Sequence, residues 1–410
     1  MAADYFGLAV AWLIVILSNL EDLHSGEPGK RFKAAGIIFL TSLATAYSAL
    51  MIWHLYDRKR IEPAPSDQVA RYLQEASGAS ATGHHVLVVD DEAPAILRFE
   101  ADGDGGLAYG DRHRIFLDGR PVGKGGEGAN EDSEDSGRGG DVETVRGLEG
   151  VDDLEGLAVS ADGRYVYATT SHSRNKNGKR RAARQFALRG CLRAGRFIVL
   201  DRVSLTAALE RKIFDGGIAD RFTILSRDKS GLGEKPLEIG MEIEGLAADP
   251  LGNLYFGLRA PLSREKKNAL VARIASRDLF PEPQPECRDR PVRATAAAAG
   301  HVHVEEVPMH KDGRNYGIVS MEYDRERGEL VLLGNAEEPF AALRPIACRW
   351  NPARRASSRR CRFLPDTQEP YWGKLEALVL GPRPGSATVF IDGDKGLGGR
   401  VTFDRDDLGF

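Results

Sequence analysis

The chain has 410 residues, 42% hydrophobic and 28% charged, which is the balance of a folded protein with a sizeable core. Its net charge of −4 supplies no global field for nucleic acid, and no nucleic-acid partner is expected. Glycine is abundant at 46 residues, and helix-periodic stretches are scarce after residue 75, which predicts an all-β chain of short strands and tight turns.

The N-terminus departs from that pattern. Ala34 to Tyr56 is an uncharged apolar run, longer than the about 20 residues a membrane-crossing helix needs, and Trp53 and Tyr56 close it with interfacial aromatics. A shorter apolar run, Tyr5 to Leu20, reads as a second span or as a buried or interfacial helix. Ala44-Thr45-Ala46 resembles a signal-peptidase site, but the apolar run continues past it. One or two transmembrane helices within residues 1–60, at about 5–20 and 34–56, are therefore predicted to anchor the chain in the lipid bilayer. Lys30, Arg31 and Lys33 on one side balance Arg58, Lys59 and Arg60 on the other, so the positive-inside rule assigns no orientation. Residues 61–74 read as a linker and a short helix.

From residue 75 to 410 the sequence repeats a hairpin unit. Glu75-Ala-Ser-Gly-Ala-Ser, Glu155-Gly-Leu-Ala-Val-Ser, Glu244-Gly-Leu-Ala-Ala-Asp and Glu376-Ala-Leu-Val-Leu each open an apolar strand. A turn, a second apolar strand and a polar cluster follow each of them. The clusters are Asp90-Asp91-Glu92, Ser171-His172-Ser173-Arg174, Arg259-Ala-Pro and Asp392-Gly-Asp394-Lys395. A fifth copy, Ile318 to Asn335, has Val319 where the glutamate would stand. Radial repetition of such units predicts a β-propeller of about six blades. A β-sandwich or a parallel solenoid is the alternative, disfavoured by the constant offset from glutamate to polar cluster. Residues 123–141, rich in Gly, Glu, Asp and Ser, read as a disordered surface insertion. The G-x-G-x-x-G spacing inside it lacks the flanking strand and helix of a nucleotide site.

Asp153-Leu-Glu-Gly-Leu-Ala followed by Ser171-His-Ser-Arg-Asn-Lys-Asn-Gly-Lys-Arg-Arg resembles the signature of the bacterial domain of unknown function 3616 family. Ile243-Glu-Gly-Leu-Ala, Gly257-Leu-Arg-Ala-Pro and Val89-Asp-Asp-Glu are similar to its other landmarks. The family is in turn similar to the "esterase-like activity of phytase" propellers. The resemblance implies a propeller over about residues 70 to 405.

If the glutamates share one register, Glu75, Glu155, Glu244 and Glu376 converge at one mouth of the channel, rimmed by Asp392 and Asp394. Converging carboxylates repel unless a cation neutralises them, and Ca²⁺, with six to eight oxygen ligands, is the natural guest. His172 is the group suited to proton transfer, and Arg174 and Arg259 would meet an anionic small-molecule ligand or substrate. The alternative reading makes Glu155–Arg174 and Glu244–Arg259 structural ion pairs. The basic run Lys176, Lys179, Arg180, Arg181 and Arg184 reads as a solvated loop. His301, His303, Glu305 and His310 read as an edge strand before a zinc set.

Four cysteines occur without a C-x-x-C. Cys348 and Cys361 flank a hairpin tip, where a cross-strand disulfide and two thiols are both open readings; the disulfide would suit an oxidising compartment. The expected protein is an inner-membrane-anchored, periplasmic propeller that binds a ligand or an envelope protein. A metal-dependent esterase or phosphoesterase is the alternative.

Overall fold

A computed structural model describes segments between residues 76 and 405: 76–82, 85–90, 95–101, 107–116, 150–174, 178–193, 196–227, 234–280, 287, 291–336, 345–354, 360–364, 375–381, 385–391 and 399–405. The expected membrane runs 5–20 and 34–56, the linker 61–74 and the insertion 123–141 lie outside them. Among the described residues no helix is long and apolar enough to cross a membrane.

The described residues are mostly β-sheet. Sheet one is the meander β1 (Ala76–Thr82), β2 (His85–Asp90), β3 (Ala95–Ala101) and β4 (Leu107–Phe116). Sheet two runs β5 (Leu154–Val159), β6 (Val166–Thr170), β7 (Phe186–Arg193) and β8 (Arg196–Ser204). A short helix α1 (Thr206–Glu210) follows, and then a two-stranded ribbon, β9 (Phe222–Arg227) with β10 (Glu234–Gly240). Sheet three holds β11 (Glu242–Ala248), β12 (Asn253–Ala260) and β13 (Ala269–Ala275). The chain then forms α2 (Ser276–Leu279) and β14 (Arg293–Ala296), which returns to pair parallel with β8. β15 (His303–Val307) then completes sheet three beside β13. Sheet four is β16 (His310–Lys311), β17 (Arg314–Asp324), β18 (Glu329–Ala336), β19 (Ile346–Trp350) and β20 (Arg360–Phe363). Sheet five is β21 (Leu375–Leu380), β22 (Ser386–Ile391) and β23 (Gly399–Asp404).

The motif strand of each sheet packs beside the next: β1 on β5, β5 on β11, β11 on β17, β17 on β21, and β21 back on β1. Among the described residues five sheets thus close a ring, against an expectation of about six blades. The apolar faces meet between neighbouring sheets. Leu87, Val89 and Ile96 of sheet one pack with Leu157, Val166 and Leu188 of sheet two. Phe256, Leu270 and Ile274 of sheet three pack with Tyr165, Tyr167 and Leu200. Ile318, Leu330 and Leu332 of sheet four pack with Tyr255 and Val271. Burying these alternating faces supplies the main stabilising term, at about 25 cal/mol per Å² of apolar surface.

The glycines of the repeated motif have a packing cause. A Cβ on Gly156 would stand 2.7 Å from the Leu246 Cβ of the next sheet, and one on Gly245 would stand 2.9 Å from Met321 Cγ. Central strands approach one another too closely there for a side chain, so Glu-Gly-Leu-Ala records ring closure as well as strand formation.

All four cysteines are oxidised, as Cys191–Cys287 and Cys348–Cys361. The second joins residues directly opposite on β19 and β20, so of the two readings left open the disulfide is the one formed.

Candidate functional site

The three described glutamates occupy one structural position. Each sits at a β-bulge near the start of its strand, between Leu154 and Gly156, Ile243 and Gly245, and Leu375 and Ala377. A bulge leaves one residue out of the ladder and re-aims its side chain. The same bulge falls between Ala76 and Gly78 on β1 and between Ile318 and Ser320 on β17. Its occupants are therefore Ser77, Glu155, Glu244, Val319 and Glu376. Aligning the first repeat on Glu75 is two residues out of register: Ser77-Gly78 is the counterpart of Glu155-Gly156. Glu75 lies outside the described residues, as do Asp392 and Asp394.

One guanidinium organises this end of the ring. Arg259, on β12, contacts Glu244 directly through Nη1, and reaches Glu242 at 2.8 Å through Nη2 and 3.0 Å through Nε. Its pKa is pushed above the ordinary arginine range, chiefly by Glu244 against the opposing effect of burial, with Glu242, Glu376 and Glu155 adding to it. Glutamates from sheets two, three and five thus act on a single cation. Glu244 and Glu376 are buried, and Arg259 keeps 38% of its side chain exposed. Asn335 Nδ2 donates to the Leu375 carbonyl at 3.3 Å beside this cluster.

Two expected members are placed elsewhere. His172 is buried, not at a rim. Its Nδ1 shares a 2.7 Å hydrogen bond with Thr206 Oγ1, and its Nε2 one of 3.1 Å with Thr169 Oγ1. Burial pulls its pKa down to about 3, so the imidazole stays neutral near pH 7 and ties β6 to α1. Arg174 donates to the Gly178 carbonyl at 3.2 Å and lies 3.9 Å from Glu210.

Around them the Ser-His-Ser-Arg segment builds a polar web. Asp153 Oδ2 accepts from Ser171 Oγ and meets Arg184 Nη1 at 2.7 Å. Asp152 takes Arg181 and Arg184 at 3.1 and 3.0 Å, and Arg180 pairs with Glu210. Much of the basic run therefore closes ion pairs within the fold. Asp153 and His172 both hold left-handed backbone, at φ of 63° and 59°, which that web fixes in place.

The histidine group is dispersed. His301 lies 3.6 Å from Asp278, Glu305 on the outer strand β15 pairs with Arg273 of β13, and His310 bridges Asn268 and Asn315 at 2.7 and 2.8 Å. Among the described residues no three His, Cys, Asp or Glu side chains assemble as a metal-ligand set. At the mouth the Arg259 guanidinium takes one carboxylate oxygen of Glu244 and one of Glu242.

The opposite ends of the same five strands enclose a cavity of about 200 Å³. Glu322, on β17, lies in its wall. Its Oε1 accepts from Ser80 Oγ at 3.2 Å and the Ala81 amide at 3.3 Å, and its Oε2 from the Leu380 amide at 2.6 Å. Burial pushes its carboxyl up to about 7 despite those donors. A raised carboxylate pKa means that folding favours the protonated form. The group's contribution to stability is therefore present near pH 5 and lost as pH rises through about 7. Urea unfolding from pH 5 to 8 should show wild-type stability falling by up to about 3 kcal/mol more than that of Glu322→Gln. Parallel pH profiles would refute this.

No family model matches the chain, and no curated protein does. Solved structures do. An exo-β-1,3-galactanase from Clostridium thermocellum is 8% identical, with 83% of this chain and 60% of that chain covered and a TM-score of 0.42. A GH43 β-1,3-galactosidase is 7% identical over 80% of this chain and 89% of that one, at a TM-score of 0.40. A luciferin-regenerating enzyme is 9% identical over 80% and 91%, at 0.35. Likeness at that level assigns no activity.

Proposed function

We propose that the chain is a five-bladed β-propeller, held at a membrane by its N-terminal segment, that binds a ligand at the channel mouth around Arg259. The observation that carries this reading is the convergence of Glu155, Glu244, Glu376 and Glu242 on one guanidinium. Three of them stand on bulges that repeat from blade to blade. A mouth dominated by carboxylates favours a ligand offering hydrogen-bond donors, such as hydroxyl or ammonium groups, over the anionic ligand expected from Arg174 and Arg259 alone. The disulfides favour a domain outside the cytoplasm, and the anchor rests on the apolar runs of the sequence.

The test is a thermal-shift screen of full-length protein against polyols and small amines, with Glu155→Gln and Glu376→Gln as controls. Binding should raise the Tm, and both variants should remove the shift. A shift that survives both would place the ligand elsewhere.

The metal-assisted esterase reading is separated by the same measurement. Wild-type Tm should be the same in excess EDTA and in millimolar Ca²⁺. Glu244→Gln should lose about 1–3 kcal/mol in both, a cost limited by the solvent exposure of Arg259. A Ca²⁺-dependent rise that Glu244→Gln abolishes would make the mouth a cation site and revive hydrolysis.

A further inference from the structure

The cavity at the far end of the ring is built by all five central strands. β1 contributes Ser80 and Ala81, β5 Ala158 and Val159, β11 the run from Leu246 to Ala248, and β21 Leu380. β17 and its hairpin supply Glu322 and the residues from Tyr323 to Glu326, and Arg405 follows β23. About half of this wall is apolar, and most of its charge is already consumed. Arg405 lies 3.1 Å from Glu326 and 3.7 Å from Asp324. Arg325 donates to the carbonyls of Ala161, Ser160 and Val159 at 3.0, 3.0 and 3.3 Å, which draws the β17–β18 turn across to sheet two. Burial raises the Tyr323 phenol above its ordinary range, so it stays neutral.

Glu322 differs from these. Two backbone amides and one hydroxyl hold its carboxyl in a single orientation, and the cation that acts on it, Arg325, gives its hydrogen bonds to the carbonyls of sheet two. A carboxyl fixed beside an apolar stretch of wall is the arrangement that small-molecule sites use to orient one polar group while burying a carbon skeleton.

We propose that this cavity is a second ligand site, for a small organic ammonium ion, with Glu322 as its counter-charge and the alanine and leucine wall receiving the alkyl part. The ammonium would sit against Glu322 Oε2, which accepts only the Leu380 amide and keeps a lone pair, whereas Oε1 already accepts two donors. Binding of a cation ionises the carboxyl, so at neutral pH it releases a proton to solvent. The site shares no residue with the mouth around Arg259 and does not rest on that reading.

The probes are n-propylammonium and its neutral counterpart, 1-propanol, titrated calorimetrically into full-length protein in two buffers of different ionisation enthalpy. The amine should bind and the alcohol should not. The heat should differ between buffers at pH 7 in the sense of proton release, and the affinity should be about tenfold weaker at pH 6 than at pH 8. Glu322→Gln should abolish the proton-linked part of amine binding, whatever amine the mouth around Arg259 also holds. Equal binding of amine and alcohol, no binding of either, or proton-linked amine binding that persists in Glu322→Gln would overturn the proposal. The first two outcomes need only the wild-type protein, so they stand even if the variant folds poorly.

Discussion

Replacing Asp201 with alanine is expected to destabilise the protein by about 3–5 kcal/mol, a large part of the stability of an ordinary domain. Asp201 on β8 faces Arg189 on β7 and Arg293 on β14, one residue from each of three neighbouring strands. Arg189 meets Asp201 Oδ2 at 2.7 Å through Nε and 2.6 Å through Nη2, and Arg293 meets Oδ1 at 2.9 Å. The Arg189 and Asp201 side chains are 3% and 1% exposed, and the Arg189 guanidinium also lies over the Phe280 and Tyr165 rings at 4.9 and 5.6 Å. Removing the carboxylate leaves the buried Arg189 guanidinium facing Arg293 without the charge that neutralises it. The double change Arg189→Met with Asp201→Leu removes charge from both sides and should recover much of the loss. Urea unfolding reads both. A loss below about 1 kcal/mol for Asp201→Ala would show that water reaches the triad and screens it.

Cys191→Ala is expected to cost more than Cys361→Ala, although each removes one disulfide. The Cys191–Cys287 bond joins positions 96 residues apart, and Cys348–Cys361 positions only 13 apart. Constraining the unfolded chain stabilises by about 3 kcal/mol for a short loop and nearly 5 for one near a hundred residues. The short bond also joins strands already paired across a hairpin, which the ladder holds in register without it. Unfolding of the two variants under non-reducing conditions gives the ranking, and equal losses would contradict the loop-closure account.

The fold was legible because its repeats are local. Alternating apolar strands, turn residues and the motif glycines all lie within a short stretch of each copy. Register at the first repeat was less legible. Glu75 offers the matching residue type, but the bulge falls between Ala76 and Gly78, which makes Ser77 the counterpart. His172 misled for a related reason. Its sequence neighbours are polar, and only the arrival of α1 with Thr206 reveals that its ring is enclosed. Glu322 had a faint signal. Ser320, Glu322 and Asp324 alternate with Met321 and Tyr323, a polar stripe where a central strand should be apolar. Its meaning depends on amides contributed by β1 and β21, which no window of sequence contains. The described residues form fewer ring sheets than the expected repeats, because β14 and the ribbon β9–β10 occupy chain length without adding one.

The return of β14 to sheet two also fixes an order of events during synthesis. The outer edge of β8 emerges early, yet the strand that covers it is made only after β11, β12 and β13. Until then sheet two presents an open ladder, and Cys191 has no oxidation partner, because Cys287 belongs to the same later stretch of chain. A half-made chain therefore carries a sticky edge and a reactive thiol together, the combination that chaperones and thiol oxidoreductases attend to. Both are retired by one short stretch, residues 287 to 296, and a chain truncated just before it would be prone to aggregate and to form mixed disulfides.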